Sequence, residues 1–318
     1  MRVARYQEAD SVRVALVEGE LLLPLPPGTE VLSVLTASPT ERLAIRAGAE
    51  TAIPLDRASL IAPLDPPAMR DFVTFERHVQ GVHSSVGGGA AGIPDAWYEA
   101  PAFLFMNPHS LTAPFGEVPM PPHTLAMDFE LEVAAIVGRT VRDVDPDDAE
   151  SLIVGYAIFN DWSARDIQRR EMQVNLGPSK GKDFANTLGP WITTPDELEQ
   201  WRVGDRFDLR MEVRVNDELI GEASLAEMGW SFAELLVHSS RDAWVGAGDV
   251  LATGTCGGGA LAEWWGRRGE QSPPPLAVGD VVTMTVEGLG TISNQIGPIR
   301  SPGHRVPAAR PLSPAPGA

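Results

Sequence analysis

Three carboxylates, Asp128, Glu130 and Glu132, alternate with Phe129, Leu131 and Val133 in the segment MDFELEVAAIVG (127–138). On a strand this spacing puts all three on one face. Like charges side by side repel, so an ordinary strand gains nothing from the arrangement. A hard divalent cation (Mg2+, or alternatively Mn2+ or Ca2+) makes it favourable, because such ions take oxygen ligands. A solvated strand face also accounts for an isolated E-x-E, so other segments must decide. In RDFVTFERHVQGV (70–82), Phe72, Phe75, Val79 and Val82 recur at helical spacing. The pattern predicts a helix over 71–82 with Asp71 as its cap and His78 about two turns on, about 10 Å along the axis. That separation suits a metal ligand at one end of a substrate and an acid/base at the other; a capping Asp with a solvated His is the alternative.

In FNDWSARDIQRREM (159–172), Asp161 is expected to cap a helix over 162–172 that carries Arg165 and Gln168 on the same face. A carboxylate, a guanidinium and an amide so placed can bind metal and orient carbonyl or carboxylate oxygens; a capped surface helix is the plainer account. The chain holds 23 arginines but only two lysines, Lys180 and Lys182, both within GPSKGKDFANTLGP. Lysine supplies a compact ammonium where arginine would bring a rigid fork. The loop is no phosphate loop, since Asp183 follows the GK where Ser or Thr would coordinate Mg2+. Further on, DVLATGTCGGGALAEWWG (249–266) reads as a strand entering a glycine-rich loop, with Thr255 in the loop and Glu263 beyond. Taking Asp71, Glu130, Glu132 and Asp161 with one divalent ion, Lys182 and Arg165, the charges sum to zero, so an anionic substrate is not repelled.

These residues need elements to hold them. The 318-residue chain carries a net charge of −18, which argues against nucleic acid or an anionic membrane as partner. Its one cysteine, Cys256, excludes an intrachain disulfide framework and a cysteine-rich zinc site. No apolar run is long enough to span a bilayer and the N-terminus lacks a signal-peptide core, so a cytoplasmic protein is expected. Residues 1–62 read as a small β-rich domain in which VRVALVE (12–18) and ELLLPL (20–25) join at Gly19, with a helix around Glu41–Ala47. APLDPP (62–67) forms a stiff connector. Over 68–297, strands are expected at 128–137, 154–159, 207–215, 249–254 and 281–286, and helices at 71–82, 147–153, 162–172 and 224–237. Strands outnumber helices without strict alternation, giving an α+β domain with a curled, barrel-like mixed sheet. Residues 298–318, rich in Pro and Ala, are expected to be disordered. VGGGAAGIPD (86–95) is either a lid over a site or a surface loop.

The motifs DFVTFERH, DFELEVAAIVG, FNDWSARDIQ, LGPSKGKDF and ATGTCGGG together resemble the fumarylacetoacetate hydrolase family, in order and spacing, from about residue 60 to 297. The resemblance implies a mixed β-roll catalytic domain and a divalent metal held by Asp71, Glu130, Glu132 and Asp161. It implies that His78, acting with Glu263, activates water, that Lys182 lies beside the metal, and that Arg165, Gln168 and Thr255 contact substrate oxygens. A metal-dependent hydrolase cleaving a C–C bond of an acylpyruvate or 1,3-diketo acid follows, its enolate held by the metal and Lys182. An isomerase, tautomerase or decarboxylase of a 2-oxo acid is the alternative, and a non-catalytic metal-binding protein a remoter one. Family members are commonly homodimers, so a homodimer is expected.

Overall fold

In a computed structural model, the described residues are 1–82, 93–300, 303–304 and 306–310. Among them, twelve strands form one mixed sheet whose main path runs through strands beginning at residues 53, 21, 11, 2, 186, 153, 131, 250, 69 and 103. A second sheet packs the strands Glu218–Ser224, Arg210–Val215, Val281–Val286, Gly290–Gly297 and Phe115–Pro119, in that order. The fold is α+β, as expected, and both sheets follow open paths instead of closing on themselves.

The central strand Leu131–Val137 is buried along its whole length. Leu131, Val133, Ala135 and Val137 face the core between the sheets, against Met211, Val213, Val282 and Met284. Ala134 and Ile136 point the other way, toward Val3, Val14, Leu16, Val34 and Leu35. Alternation thus feeds two cores at once, which explains why this segment is so apolar. The same two-residue period aligns Met69 with Asp71, Ala134 with Glu132, and Phe159 with Asp161. Met69, Ala134 and Phe159 lie in that second core, so each carboxylate continues a row of apolar side chains at the end of its strand.

The N-terminal hairpin forms as read, Ser11–Glu18 with Leu21–Pro24 turning at Gly19, whose φ is +57°. Its neighbour Arg2–Glu8 pairs with Asn186–Thr193, so the N-terminal strands extend the large sheet. The helix near Glu41–Ala47 spans Pro39–Ala47, with Ser38 and Glu41 forming a reciprocal cap. Two expected helices are shorter or displaced. The one at 147–153 is a single α-helical turn, Pro146–Ala149, continued by the 3-10 segment Glu150–Leu152, and the one at 224–237 begins only at Phe232. The expected lid falls mostly outside the described residues; its last residue, Asp95, starts the helix Asp95–Glu99. The tail expectation also lies partly outside them. No helix among the described residues is long and apolar enough to cross a membrane.

Candidate active site

Asp71 sits on a strand, not on a helix. Met69–Phe72 pairs in parallel with Val250–Ala252, Asp71 opposite Ala252, and the helix begins only at Glu76. The helical spacing of Phe72, Phe75, Val79 and Val82 misled because the first two serve a strand and the turn after it, both buried in the core. His78 therefore stands in the helix's first turn, and the two-turn separation from Asp71 does not exist. Asp161 likewise ends the strand Ile153–Asp161 and caps nothing; the following helix is Arg165–Met172.

The outcome still brings the predicted ligands together. Ligand oxygens of Asp71, Glu130, Glu132 and Asp161 all lie within 4.8 Å of one another, and all four residues are buried. Lys182 Nζ donates to Glu130 Oε2 and Asp161 Oδ2. Gly254 N donates to Glu132 Oε2 at 3.1 Å. The backbone there has φ +78° and passes so near Phe72 that a Cβ on residue 254 would meet its carbonyl oxygen at 2.1 Å, which requires glycine. Two carboxylate oxygens, Asp71 Oδ1 and Glu132 Oε1, are buried with no hydrogen-bond partner. Orphaned buried acceptors, all-oxygen donors and an excess of negative charge fit a hard divalent cation.

Asp128 does not join this cluster. Its carboxylate accepts from Arg165 Nε at 2.8 Å and from the Leu261 and Ala262 amides, at 2.8 and 3.0 Å, at the N-terminus of the helix Leu261–Arg268. The backbone leaves the extended ladder between Asp128 and Leu131, so strict alternation fails there. Asp128 is thus an anchor that the pattern did not reveal, and it adds one negative charge to the sum made from sequence. The helix N-terminus offsets part of that charge. Arg165 also donates from Nη2 to Glu130 Oε1 at 2.7 Å and from Nη1 to Gln168 Oε1 at 3.1 Å.

The helix Leu261–Arg268 carries Glu263, whose Oε1 meets His78 Nδ1 at 2.8 Å. Glu263 Oε2 is held by Gly258 N at 2.8 Å and Arg267 Nη2 at 3.1 Å. The other ring nitrogen, His78 Nε2, lies 3.9 Å from Glu130 Oε1 and so faces the carboxylate cluster. The two lysines part company. Lys182 is buried among carboxylates, whereas Lys180 is exposed and pairs with Asp183. Their loop is folded against the Arg165–Met172 helix by Glu171, which accepts from Ser179, Lys180 and Gly181 amides at 3.1, 2.6 and 3.1 Å. Sequence reading missed Glu171; its place in the last turn of a helix before a Gly/Pro loop was the available signal. A cavity of about 590 Å³ opens onto the cluster, lined by His78, Arg165, Gln168, Lys182 and Thr255 among others. Glu263 lies behind His78, outside that lining.

Burial pushes Asp71 up to about 6, with Lys182 opposing it and Glu130 adding to it. Glu132 is pushed well above the usual range by burial and then by the charges of Asp71, Glu130 and Asp161. Asp161 is also raised, by burial against the pull of Lys182. Glu130 goes the other way: burial would raise it, but Arg165 and Lys182 outweigh that. Lys182 is raised despite burial, because Asp161 and Glu130 hold its ammonium charged. For carboxylates raised in the folded state, the stabilising contribution is full below their unfolded values and is lost as pH rises through the folded ones. A divalent ion needs them deprotonated and relieves their repulsion. The gain in melting temperature on adding MgCl2 or MnCl2 is therefore expected to grow from about pH 5 to about pH 7.5. Differential scanning fluorimetry checks this, and a gain independent of pH would count against the cluster as the ion's seat.

Residues 68–297 match the family described as fumarylacetoacetate (FAA) hydrolase C-terminal. Oxaloacetate tautomerase YisK of Bacillus subtilis (strain 168) is 30% identical over 246 residues, covering 76% of this chain and 74% of that protein. The 2,4-didehydro-3-deoxy-L-rhamnonate hydrolase of Sphingomonas sp. (strain SKA58) is 32% identical over 200 residues, covering 62% of this chain and 65% of that protein. In fold, the chain is similar to maleylpyruvate hydrolase from Sphingobium sp. SYK-6, solved in complex with manganese(II) ion and pyruvate. That likeness has a TM-score of 0.69 at 23% identity and covers 94% of this chain and 99% of the other.

Proposed function

Because this chain belongs to the fumarylacetoacetate hydrolase family, we propose that it is a divalent-metal-dependent hydrolase cleaving a C–C bond of an acylpyruvate or related 1,3-diketo acid. The observation that carries the reading is the pair His78–Glu263, joined at 2.8 Å with the free ring nitrogen turned toward the carboxylate cluster. Asp71, Glu130, Glu132 and Asp161 would hold the cation, and Mg2+ is the first choice, with Mn2+ or Ca2+ as alternatives. When bound, that ion would supply Lewis acidity to the substrate's carbonyl oxygens.

The chain's own residues account for the proton movements. Glu263 accepts from His78 Nδ1–H, which fixes the tautomer and leaves Nε2 basic. Nε2 takes a proton from a water as its oxygen bonds to the distal carbonyl carbon. When the tetrahedral adduct collapses, the C–C bond breaks and its electron pair passes to pyruvate as the enolate. The distal fragment leaves as a carboxylic acid, and a proton returns to the enolate carbon from His78. Lys182, kept protonated by its carboxylate neighbours, stabilises the enolate oxygen. Arg165, Gln168 and Thr255 orient the 2-oxo carboxylate. The proposal includes a cytoplasmic homodimer, which light scattering after size exclusion tests.

The similarity to an oxaloacetate tautomerase over three quarters of both chains favours a second reading, in which His78 only moves a proton between carbon and oxygen. The deciding experiment follows enol absorbance of a small acylpyruvate panel, with Mg2+ or Mn2+ and with EDTA, and identifies products by mass. Metal-dependent release of pyruvate and a free acid is expected. Absorbance change without cleavage would sink the hydrolase reading in favour of the tautomerase.

A further inference from the structure

We propose that the substrate group projecting away from the carboxylate cluster is an apolar chain or ring and not a second carboxylate. The inference rests on the reading above for the 2-oxo acid head and concerns the other half of the same cavity. Beyond the cluster, the lining is Val73, Val79, Val82, Trp97, Phe103 and Leu104. The wall is built, not incidental. Trp97 Nε1 donates to Val73 O at 2.7 Å, and its ring packs edge-on against Trp230 with centroids 4.8 Å apart. Gly229 brings its backbone so close that a Cβ there would lie 3.0 Å from the Trp97 ring. Phe103 is held against Phe72 at 5.1 Å. Tyr98 Oη donates to Glu76 at 2.8 Å, tying the short helix that carries Trp97 to the His78 helix.

Cations tell the same story. Among the described residues lining the cavity, the only Lys or Arg side chains are Arg165 and Lys182, both at the deep end. Arg165, bonded to Asp128, Gln168 and Glu130, and Lys182, bonded to Glu130 and Asp161, stand at the cluster, where in the reading above they serve the 2-oxo acid head and not the far end of the substrate. Arg70, next to Asp71 in the chain, points to the opposite face of the strand, where its guanidinium lies 5.9 Å from the Phe103 ring centroid and is neutralised by Asp249 at 2.9 Å. A carboxylate at the far end of the substrate would therefore lie against valines and aromatic rings, with no cation beside it among the described lining residues, which is unfavourable. A methyl or phenyl terminus gains from the same surface.

The test is calorimetric binding of two acids of equal chain length, 2-oxooctanoate and 2-oxooctanedioate, to the Mg2+-loaded protein. Neither can be cleaved as an acylpyruvate, so the result does not depend on turnover. The monoacid is expected to bind at least about tenfold tighter. An Ala96→Arg variant, changing an exposed residue of the lining, should narrow or invert that preference. Equal or tighter binding of the diacid by the unaltered protein overturns the inference, and so does failure of both acids to bind. If the variant does not fold, the pair of acids on the unaltered protein decides alone. Failure of the hydrolase reading shows separately, as absence of pyruvate release from acylpyruvates.

Discussion

A His78→Ala protein is expected to lose about 10²- to 10⁴-fold in turnover, the usual contribution of a positioned acid/base, while binding Mn2+ as tightly as before. The split follows from geometry. His78 supplies no oxygen to the cluster, and the four carboxylates are held by their strands and by Lys182, Arg165 and Gly254 instead. Removal of the imidazole thus takes away the proton acceptor without disturbing the seat of the ion. Glu263→Gln should cost less in rate, since the amide still reaches His78 Nδ1 but no longer supports a developing imidazolium charge. Its pH–rate profile should shift, whereas a purely structural loss would scale the profile without moving it. Stopped-flow turnover together with Mn2+ titration by electron paramagnetic resonance checks the pair. Unchanged turnover in His78→Ala would remove the hydrolytic reading altogether.

The second large effect is on stability. Asp128→Ala should destabilise the protein by about 3–5 kcal/mol, the range for breaking one side of a buried ion pair. Asp128 and Arg165 are both essentially fully buried. Loss of the carboxylate leaves Arg165 Nε and the two amides at the start of the Leu261–Arg268 helix without acceptors. The same helix carries Glu263 and the same arginine contacts Glu130, so activity should fall as well, even where the variant is folded. Urea unfolding of the metal-free proteins measures the first effect. A difference under about 1 kcal/mol would show that water or a neighbour takes over the role.

How much of this was legible from sequence depended on which force decided each element. Where burial and period agreed, the reading was close: 281–286 was expected as a strand and Val281–Val286 is one. The hairpin at Gly19 was legible because its turn demanded a glycine with positive φ. The start of the His78 helix was not, because an apolar pattern common to helix and strand was resolved by pairing with Val250–Ala252, a partner 181 residues away. Asn186–Thr193 escaped notice because Gly189 and Pro190 interrupt an otherwise ordinary strand. The site itself was more legible than its scaffold. Residue types such as buried carboxylates, a lone buried lysine and a histidine reveal chemistry without revealing the backbone beneath them. Asp128 was singled out by its spacing but given the wrong partners, and Glu171 was missed, for the converse reason: both hold backbone amides, Asp128 together with Arg165, and residue type does not reveal that.

Asp71, Glu132 and Asp161 come from three strands of one sheet and Glu130 immediately precedes one of them, while Asp71 and Asp161 stand 90 positions apart in the chain. Their convergence exists only once the long-range register of those strands is set, so an unfolded chain offers an ion nothing comparable. Binding at this point would act as a clasp across non-local contacts, adding its free energy directly to the folded state. The same clasp would slow unfolding in proportion to how late these strands assemble. Chelator in a purification buffer would then do more than silence an enzyme: it would loosen the seam on which the large sheet is sewn.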